Sequence, residues 1–161
     1  MAALPGEDPV RIAHAPTDRG IKSTAAFLEA TEQLKAEGHP IEVDLIEGVP
    51  WSECLARKAK ADVYFDQVKL GYGCNSIEAW GMGIPVIAGG APSTLEEMQS
   101  RFGELPFYVA DEDTIYDALK AMTDKDTRDE YGQRGLRHVQ RFHDDAKVVA
   151  QLQDVYTRAA A

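Results

Sequence analysis

Long hydrophobic runs are missing from this 161-residue sequence. No window approaches 18 uninterrupted apolar residues, about the length that a helix needs to cross a bilayer, so no membrane span is predicted. The N-terminus also lacks the basic region and the apolar stretch of a signal peptide. Residues 1–9 are predicted to form a flexible leader, and residues 10–161 a single domain.

Basic residues are scarce relative to acidic ones. The chain has 17 Lys and Arg against 27 Asp and Glu, which gives a formal net charge of -10. A general nucleic-acid binder needs a basic surplus to displace counterions from phosphates, so that class of function is excluded. A small phosphate pocket needs only a few local donors and stays compatible with this charge.

Cysteine and histidine are too few, or too far apart, for a disulfide framework or a metal site. Cys54 and Cys74 are predicted to be two reduced thiols, which is typical of a cytoplasmic protein. A catalytic Cys74 is disfavoured because no partner base is visible nearby. His39, His138 and His143 have no Cys or acid at ligand spacing, so we expect no metal.

Short apolar segments alternate with amphipathic ones along the whole chain, which predicts an α/β fold with a parallel sheet and helices on both faces. The predicted strands are residues 10–15, 41–46, 63–68, 85–88 and 107–110, and the predicted helices are 24–37, 52–59, 75–81, 93–101, 111–123, 126–142 and 144–159. Ligands of such sheets bind at the carboxyl ends of the strands. Here those ends are residues 15–22, 47–51, 67–75 and 89–94.

The first of these loops carries two cations. Arg19, Gly20 and Lys22 lie just after a predicted strand and just before a predicted helix. A pair of cations beside a helix N-terminus suits a diphosphate. The alternative is a charged loop that is simply solvated.

The third loop is rich in glycine. Gly71, Tyr72 and Gly73, with the backbone amides of Cys74 and Asn75, are candidates to approach a phosphate closely. A Gly-x-Gly turn between a strand and a helix is weak evidence, because every fold of this class needs such a turn.

The continuous segment from Gly71 to Ile87 is more specific. It contains Gly-Tyr-Gly, then Glu78-Ala, then Gly83-Ile-Pro-Val-Ile. It resembles the Gly-Phe-Gly, Glu-Ala-Met-Ala and Gly-x-Pro-Val-Ile pattern of GT-B-fold retaining glycosyltransferases of the glycosyl transferases group 1 type. The resemblance covers about residues 10–156. It implies a Rossmann-like three-layer α/β/α sandwich with a mainly parallel sheet, the C-terminal, nucleotide-sugar donor-binding half of a GT-B fold.

The resemblance also implies roles for individual residues. Glu78 matches the glutamate that binds the ribose hydroxyls, and a carboxylate suits a vicinal diol; the alternative is a surface acid that complements the helix dipole. Lys22 and Arg19 match the pair that neutralises the diphosphate leaving group, although Ser23 stands where the family has glycine. Lys22 and Glu78 are thus the candidate catalytic residues.

The loop after the second predicted strand lies over the nucleotide base in the family. Glu47, Gly48 and Trp51 are therefore candidates for donor binding, and the Trp51 ring suits base stacking. The alternative is a tryptophan that packs against the end of the sheet. His14 has two open interpretations as well, a contact to phosphate or a buried histidine with satisfied hydrogen bonds.

One departure from the family pattern concerns the acid that contacts the donor sugar. Leu70 occupies the position of the family's first glutamate, eight residues before Glu78, and Lys69 beside it has the opposite charge. Asp66 is either a partial substitute or a structural acid.

The function implied by the resemblance is transfer of a sugar, of the hexosyltransferase type, from a UDP or GDP donor with retention. No metal or other cofactor is expected, and no nucleophile or general base is evident. The acceptor-binding N-terminal domain is missing, so we expect a partner domain or separate subunit and no activity from the isolated domain. The alternatives are a non-catalytic nucleotide-binding or interaction module, and a sugar-nucleotide 2-epimerase, which needs further acids and histidines.

Overall fold

Six strands and seven helices alternate along residues 8–160, which are the residues that the computed structural model describes. The strands are β1 (Val10–His14), β2 (Ile41–Leu45), β3 (Val63–Phe65), β4 (Leu70–Gly71), β5 (Val86–Gly90) and β6 (Tyr108–Val109). The helices are α1 (Thr24–Ala36), α2 (Trp51–Lys58), α3 (Cys74–Gly81), α4 (Pro92–Phe102), α5 (Ile115–Ala121), α6 (Lys125–Phe142) and α7 (Asp145–Ala159). Only the last two residues of the predicted leader, 8 and 9, fall within the described part.

The strands form one mainly parallel sheet, as the sequence predicts. Its order is β2-β1-β3-β5-β4, and β6 also pairs with β5. Every pairing is parallel except that of β4 with β5, which is antiparallel. No helix among residues 8–160 has the length and apolar character needed to cross a membrane.

The two faces of the sheet bury separate clusters of apolar side chains. Phe27 and Leu34 of α1 pack on one face, together with the apolar side of α5. Trp80 of α3 and Phe107 pack on the other face. Successive residues of β3 point to opposite faces, so that Phe65 joins the first cluster and Tyr64 the second. Within the predicted helix 111–123, Ile115, Leu119 and Met122 recur at helical spacing, and all three side chains are buried.

Two residue pairs, Leu70 with Gly90 and Gly71 with Gly89, make a strand pairing that the sequence did not reveal. The predicted third strand ends early, at Phe65, and residues 70–71 form β4 against Gly89 and Gly90. Residues 89–90 were expected in a loop, but they extend β5. A side chain at Gly89 would lie 1.7 Å from the backbone oxygen of Ala110, so this close packing requires glycine. A two-residue strand has no periodicity from which to predict it.

Helix starts also differ from the sequence-based expectation. Ser23 precedes α1 in a left-handed conformation (φ 50°), and its hydroxyl donates to Glu112 at 3.1 Å instead of capping the helix. Helix α4 begins at Pro92, without a cap from the Ser93 or Thr94 side chain. Asp144 caps α7, because its carboxylate accepts from the backbone N–H of Lys147 at 3.0 Å.

Candidate functional site

The carboxyl ends of β1, β2, β3 and β5 lie at one edge of the sheet, because these strands are mutually parallel. The loops that follow them contain the sequence-predicted residues. The structure therefore brings the loop with the two cations and the glycine-rich loop to the same edge, as expected for this class of fold.

A buried ion pair lies at the centre of this edge. Lys22 Nζ is 2.5 Å from Asp66 Oδ1, and the two side chains are 10% and 0% exposed. The other carboxylate oxygen of Asp66 accepts from the backbone N–H of Gly73 at 2.9 Å and from the Ser76 hydroxyl at 2.6 Å. Of the two interpretations of Asp66, this geometry corresponds to the structural acid, which connects the first loop to the start of α3.

Lys22 lies beside the glycine loop, although part of its charge is already used. Its Nζ is 3.9 Å from the position that a side chain on Gly73 would occupy. The N–H groups of Cys74 and Asn75 belong to the first turn of α3, where no partner exists within the helix. An ammonium group and a helix N-terminus thus lie together, but Asp66 balances the ammonium in the absence of ligand.

Glu78 accepts hydrogen bonds at both carboxylate oxygens. Trp51 Nε1 donates to Oε1 at 3.0 Å, and Lys58 Nζ donates to Oε2 at 2.6 Å. Partial burial disfavours ionisation, but the hydrogen bonds from Lys58 and Trp51 outweigh it, so the pKa of Glu78 lies below its ordinary value. The side chain is 25% exposed and stays accessible to a ligand.

Trp51 is an exposed residue at the first turn of α2. Its relative exposure is 68%, so the interpretation that it packs against the end of the sheet is wrong. Its ring is tied to Glu78 by the hydrogen bond from Nε1. A face of the indole is therefore available at the edge where the candidate ribose-binding acid lies.

Arg19 and Glu47 come together across the first two loops. Arg19 Nε and Nη2 donate to the two carboxylate oxygens of Glu47, at 2.8 and 2.5 Å. Hydrogen bonding to Arg19 lowers the pKa of Glu47. Such exposed pairs contribute little to stability, so a ligand can displace this one at small cost. Gly20 and Gly48 lie in the same two loops, and Gly48 has φ +64°, which favours glycine.

Two glycine-loop residues predicted to bind the donor, Gly71 and Tyr72, also have contacts within the protein. The Tyr72 hydroxyl lies 3.2 Å from His138 Nε2 and 3.3 Å from His143 Nε2, and its ring packs edge-on against Trp80. Gly71 belongs to β4, where a side chain would meet the Met98 methyl at 2.7 Å. Their side of the loop packs against protein, which leaves the segment from Gly73 onward to face a ligand.

His14 is buried and its hydrogen bonds are satisfied, which confirms the second of its two interpretations. Nδ1 donates to the Phe65 carbonyl at 2.9 Å, and Nε2 therefore accepts from the Thr24 hydroxyl at 2.8 Å. Burial lowers the pKa of His14 from 6.5 to about 4. A contact between His14 and phosphate is excluded because the side chain is fully covered.

Leu70, at the position where the family has its first glutamate, is an exposed apolar residue. Leu70 is 63% exposed on β4, and its neighbour Lys69 forms an ion pair with Glu112 at 2.8 Å. Asp66 does not replace the family's first glutamate, since it is fully buried.

Lys58 is the site residue that the sequence analysis missed. Its side chain is fully buried, and its ammonium group contacts Glu78 and Asn75. A sequence signal existed, because Lys58 follows Trp51 by seven residues and so lies on the same face of α2. Charge alone gave no reason to expect it inside the protein.

The candidate residues lie apart from a cleft at the other end of the parallel strands. This cleft of about 730 Å³ lies at the opposite edge, between Asp62 and Pro85, which precede β3 and β5, and residues of α6. It contains none of the predicted site residues. Within residues 8–160, no group of three or more His, Cys, Asp or Glu side chains is arranged to hold a metal ion.

The fold itself is shared with known glycosyltransferases. No family model and no curated protein matches the sequence. Among solved structures, TarM from S. aureus matches 96% of this chain with a TM-score of 0.65 and 11% identity. The C-terminal domain of the glycosyl transferase group 1 family protein LpcC from Francisella tularensis matches 88%, with a TM-score of 0.58 and 18% identity.

The chain corresponds to one part of the larger enzymes. It spans 37% of the TarM chain and 44% of the chain of WaaG, a glycosyltransferase involved in lipopolysaccharide biosynthesis, which it matches at 16% identity and a TM-score of 0.55. By contrast, it spans 89% of the isolated LpcC domain. The chain has the Rossmann-like fold of the C-terminal half of GT-B glycosyltransferases.

Proposed function

We propose that this chain is the nucleotide-sugar donor-binding domain of a glycosyltransferase that transfers a sugar to an acceptor with retention. The observation that carries the proposal is the placement of Lys22, the N-terminus of α3 and Glu78 at one edge of this fold. Structures with the same fold include TarM in complex with UDP and Alr3699/HepE of Anabaena in complex with UDP-glucose.

The proposed mechanism divides the donor between two groups of residues. Lys22, Arg19 and the N–H groups of Cys74 and Asn75 stabilise the negative charge of the departing diphosphate. Glu78 accepts hydrogen bonds from the ribose hydroxyls, and Trp51 stacks on the base. No side chain serves as nucleophile. The leaving phosphate takes the proton of the acceptor hydroxyl, and no metal is required.

The acceptor site is not formed by this chain in the proposed enzyme. A partner domain or separate subunit supplies the acceptor site, in line with the chain's 34% to 49% share of the complete enzymes it resembles. Isolated, the domain binds the donor without transferring the sugar.

Leu70 favours a second candidate, a nucleotide-binding module without catalytic activity. An exposed leucine offers no hydrogen bond to the donor sugar where the family has an acid. The two candidates differ in sugar recognition: a donor site that contacts the sugar is expected to bind a nucleotide sugar and its bare diphosphate with different affinities, whereas the module is expected to bind both equally. A 2-epimerase needs further acids and histidines at the site, and His14 cannot serve there because it is buried.

A thermal-shift screen tests the proposal directly. The protein is heated with UDP, GDP, ADP, TDP and their common sugar conjugates. One diphosphate is expected to raise the melting temperature, because a ligand at 100 times its Kd adds about 2.7 kcal/mol to the free energy of unfolding. No shift with any of them, confirmed by calorimetric titration, contradicts nucleotide binding by this chain.

Replacement of Glu78 tests the ribose contact. Glu78→Ala is made together with Lys58→Met, so that no buried ammonium is left without its counter-charge, and is expected to weaken binding of the selected diphosphate at least tenfold while the domain stays folded. Titration calorimetry measures the affinity, and circular dichroism checks the fold. Glu29→Ala, which removes an exposed acid of α1, is the matched control. Unchanged affinity in the folded double variant would remove Glu78 from the site.

A further inference from the structure

A fully buried lysine connects α2 to the start of α3. The side chain of Lys58 is 0% exposed, and its Nζ donates to Asn75 Oδ1 at 2.8 Å and to Glu78 Oε2 at 2.6 Å. The Asn75 carbonyl oxygen lies at 3.4 Å, and the Tyr64 ring lies beneath the ammonium at 4.7 Å. All the polar partners of this ammonium belong to the first and second turns of α3.

These contacts restrict the carboxylate of Glu78 more than its partial exposure suggests. A carboxylate has about four lone-pair sites on two oxygens. Lys58 uses one site on Oε2 and Trp51 one on Oε1, so each oxygen keeps capacity for one more donor. An ammonium held rigidly by burial fixes both the rotamer and the ionised state of its partner.

Stability alone gives no reason for a charge at this place. Burying an ammonium group costs several kcal/mol before its partners compensate, and apolar replacements of buried ion pairs are often neutral or stabilising. A methionine has a length similar to that of lysine and could pack against the neighbouring ring of Tyr64 in its place. We therefore look for the reason for this charge in its effect on Glu78.

We propose that Lys58 is a positioning residue for ribose recognition: it orients Glu78 so that each carboxylate oxygen accepts one hydroxyl of the ribose diol. This rests on the proposed function, because it assigns the diol of a nucleoside diphosphate to Glu78. Lys58 itself does not touch the ligand. It acts through Glu78 and, by way of Asn75, through the first turn of α3.

The test separates ribose recognition from the rest of the binding energy. Affinities of wild type and Lys58→Met are measured by titration calorimetry for UDP and 2′-deoxy-UDP, or for the GDP or ADP pair if the screen selects that base. Wild type is expected to prefer the ribonucleotide by about tenfold or more, the size of a hydrogen bond to a charged group. Lys58→Met is expected to reduce this ratio to about one, because the ribonucleotide loses both hydroxyl contacts to Glu78 and the deoxynucleotide loses only that of its 3′-hydroxyl.

Two further variants keep the result interpretable. Lys60→Met removes the same charge from an exposed position two residues away and is expected to keep the wild-type ratio. Asn75→Ala removes one acceptor of the Lys58 ammonium and is expected to lower the ratio partly, which provides a readout if Lys58→Met does not fold.

The outcomes distinguish this inference from the function on which it rests. Wild-type protein that binds no nucleoside diphosphate overturns the proposed function and the inference with it. Binding that persists with an unchanged ribose preference in Lys58→Met, or in Asn75→Ala if only that variant folds, overturns the inference alone. An equal loss of affinity for ribonucleotide and deoxynucleotide also overturns it, since that result indicates a purely structural lysine.

Discussion

At the residue scale, the ion pair between Lys22 and Asp66 changes how the phosphate site must be tested. Removing Lys22 alone leaves the carboxylate of Asp66 buried without its counter-charge. Loss of one partner of a buried pair typically costs about 3–5 kcal/mol, a large share of a domain's total stability. A single substitution would therefore confuse loss of binding with loss of folding.

The double variant Lys22→Met with Asp66→Asn avoids this problem. The asparagine oxygen can still accept from Gly73 and Ser76, while both charges disappear together. We expect this variant to fold and to bind the selected nucleoside diphosphate at least tenfold more weakly, with little change for the nucleoside, because the missing ammonium faces only the phosphates. Titration of both ligands measures this. Equal weakening of the two would exclude Lys22 from the phosphate site.

His14 makes the stability of the domain depend on pH. Burial lowers its pKa in the folded state from 6.5 to about 4, so the unfolded chain binds this proton more readily. The associated stability is complete above pH 6.5 and is lost as the pH falls towards 4, by an amount on the order of 3 kcal/mol. Urea unfolding across this range is expected to show the decline.

A substitution at the same position isolates the contribution of this imidazole. His14→Asn keeps a donor for the Phe65 carbonyl but removes the titrating ring, so the decline between pH 6.5 and 4 should become shallower. The buried His138, whose pKa is also lowered to about 4 by burial and by His143, accounts for a remaining slope. His39→Asn, at a half-buried loop position, is the control. An unchanged slope in His14→Asn contradicts this account.

The sequence predicted which loops carry the site but not how their side chains pair. Lys22 and Glu78 were placed correctly at the carboxyl edge because alternating strands and helices imply parallel strands, whose carboxyl ends lie at one edge. The contact of Lys22 with Asp66 joins residues 44 positions apart, and that of Lys58 with Glu78 joins residues 20 apart. Such pairs depend on tertiary packing, which no local pattern encodes.

At the scale of elements, two glycines of α6 set its distance from α3. A side chain at Gly135 would approach Trp80 Cδ1 to 2.0 Å, and one at Gly132 would approach the Gly83 carbonyl oxygen to 2.6 Å. The Trp80 ring is fully buried and cannot move aside without displacing Phe107, with which it stacks. Glycine in the middle of this helix is thus required by packing.

Gly135→Ala is expected to destabilise the domain by about 1–3 kcal/mol through overpacking, although alanine is the better helix former. Gly81→Ala in α3 is the matched control. Its new side chain would meet no heavy atom within 4 Å, so it should stabilise by about 0.5–1 kcal/mol. Denaturant unfolding of both variants measures the difference. A stabilising Gly135→Ala would show that the interface relaxes.

Elements with a clear period were predicted better than their ends. The apolar face of α5 was placed correctly, but the helix is shorter than predicted, because the Asp111 carboxylate accepts from Thr114 and forms a turn before it. Strand β4 was missed because its two residues take strand form through tertiary pairing with Gly89 and Gly90.

At the scale of the whole molecule, the candidate site is a face rather than an enclosed pocket. The large cleft lies at the opposite edge, and Trp51 and Leu70 are exposed beside the candidate residues. Exposed apolar side chains around a polar centre are typical of a surface that a second body covers. This arrangement agrees with the proposal that the donor site is completed by another domain.

The last helix contributes little to the stability of this domain. Helix α7 has no buried residue, and a single apolar stripe of Val148, Val149, Leu152, Val155 and Tyr156 lies exposed along it. Truncation after Asp144 is therefore expected to change the free energy of unfolding by less than about 1 kcal/mol, because no apolar area leaves a core. Urea unfolding of the truncated and full chains measures the difference.

A point variant distinguishes the contribution of the apolar stripe to stability from that of the whole helix. Leu152→Gln should change the free energy of unfolding by no more than about 0.5 kcal/mol, as surface substitutions usually do. A loss well above 1 kcal/mol on truncation, with Leu152→Gln also destabilising, would mean that the stripe packs on the domain in solution. If truncation alone destabilises, the contact of Lys147 Nζ with the Gln140 carbonyl at 2.8 Å is the attachment to test next, since it joins α7 to the end of α6.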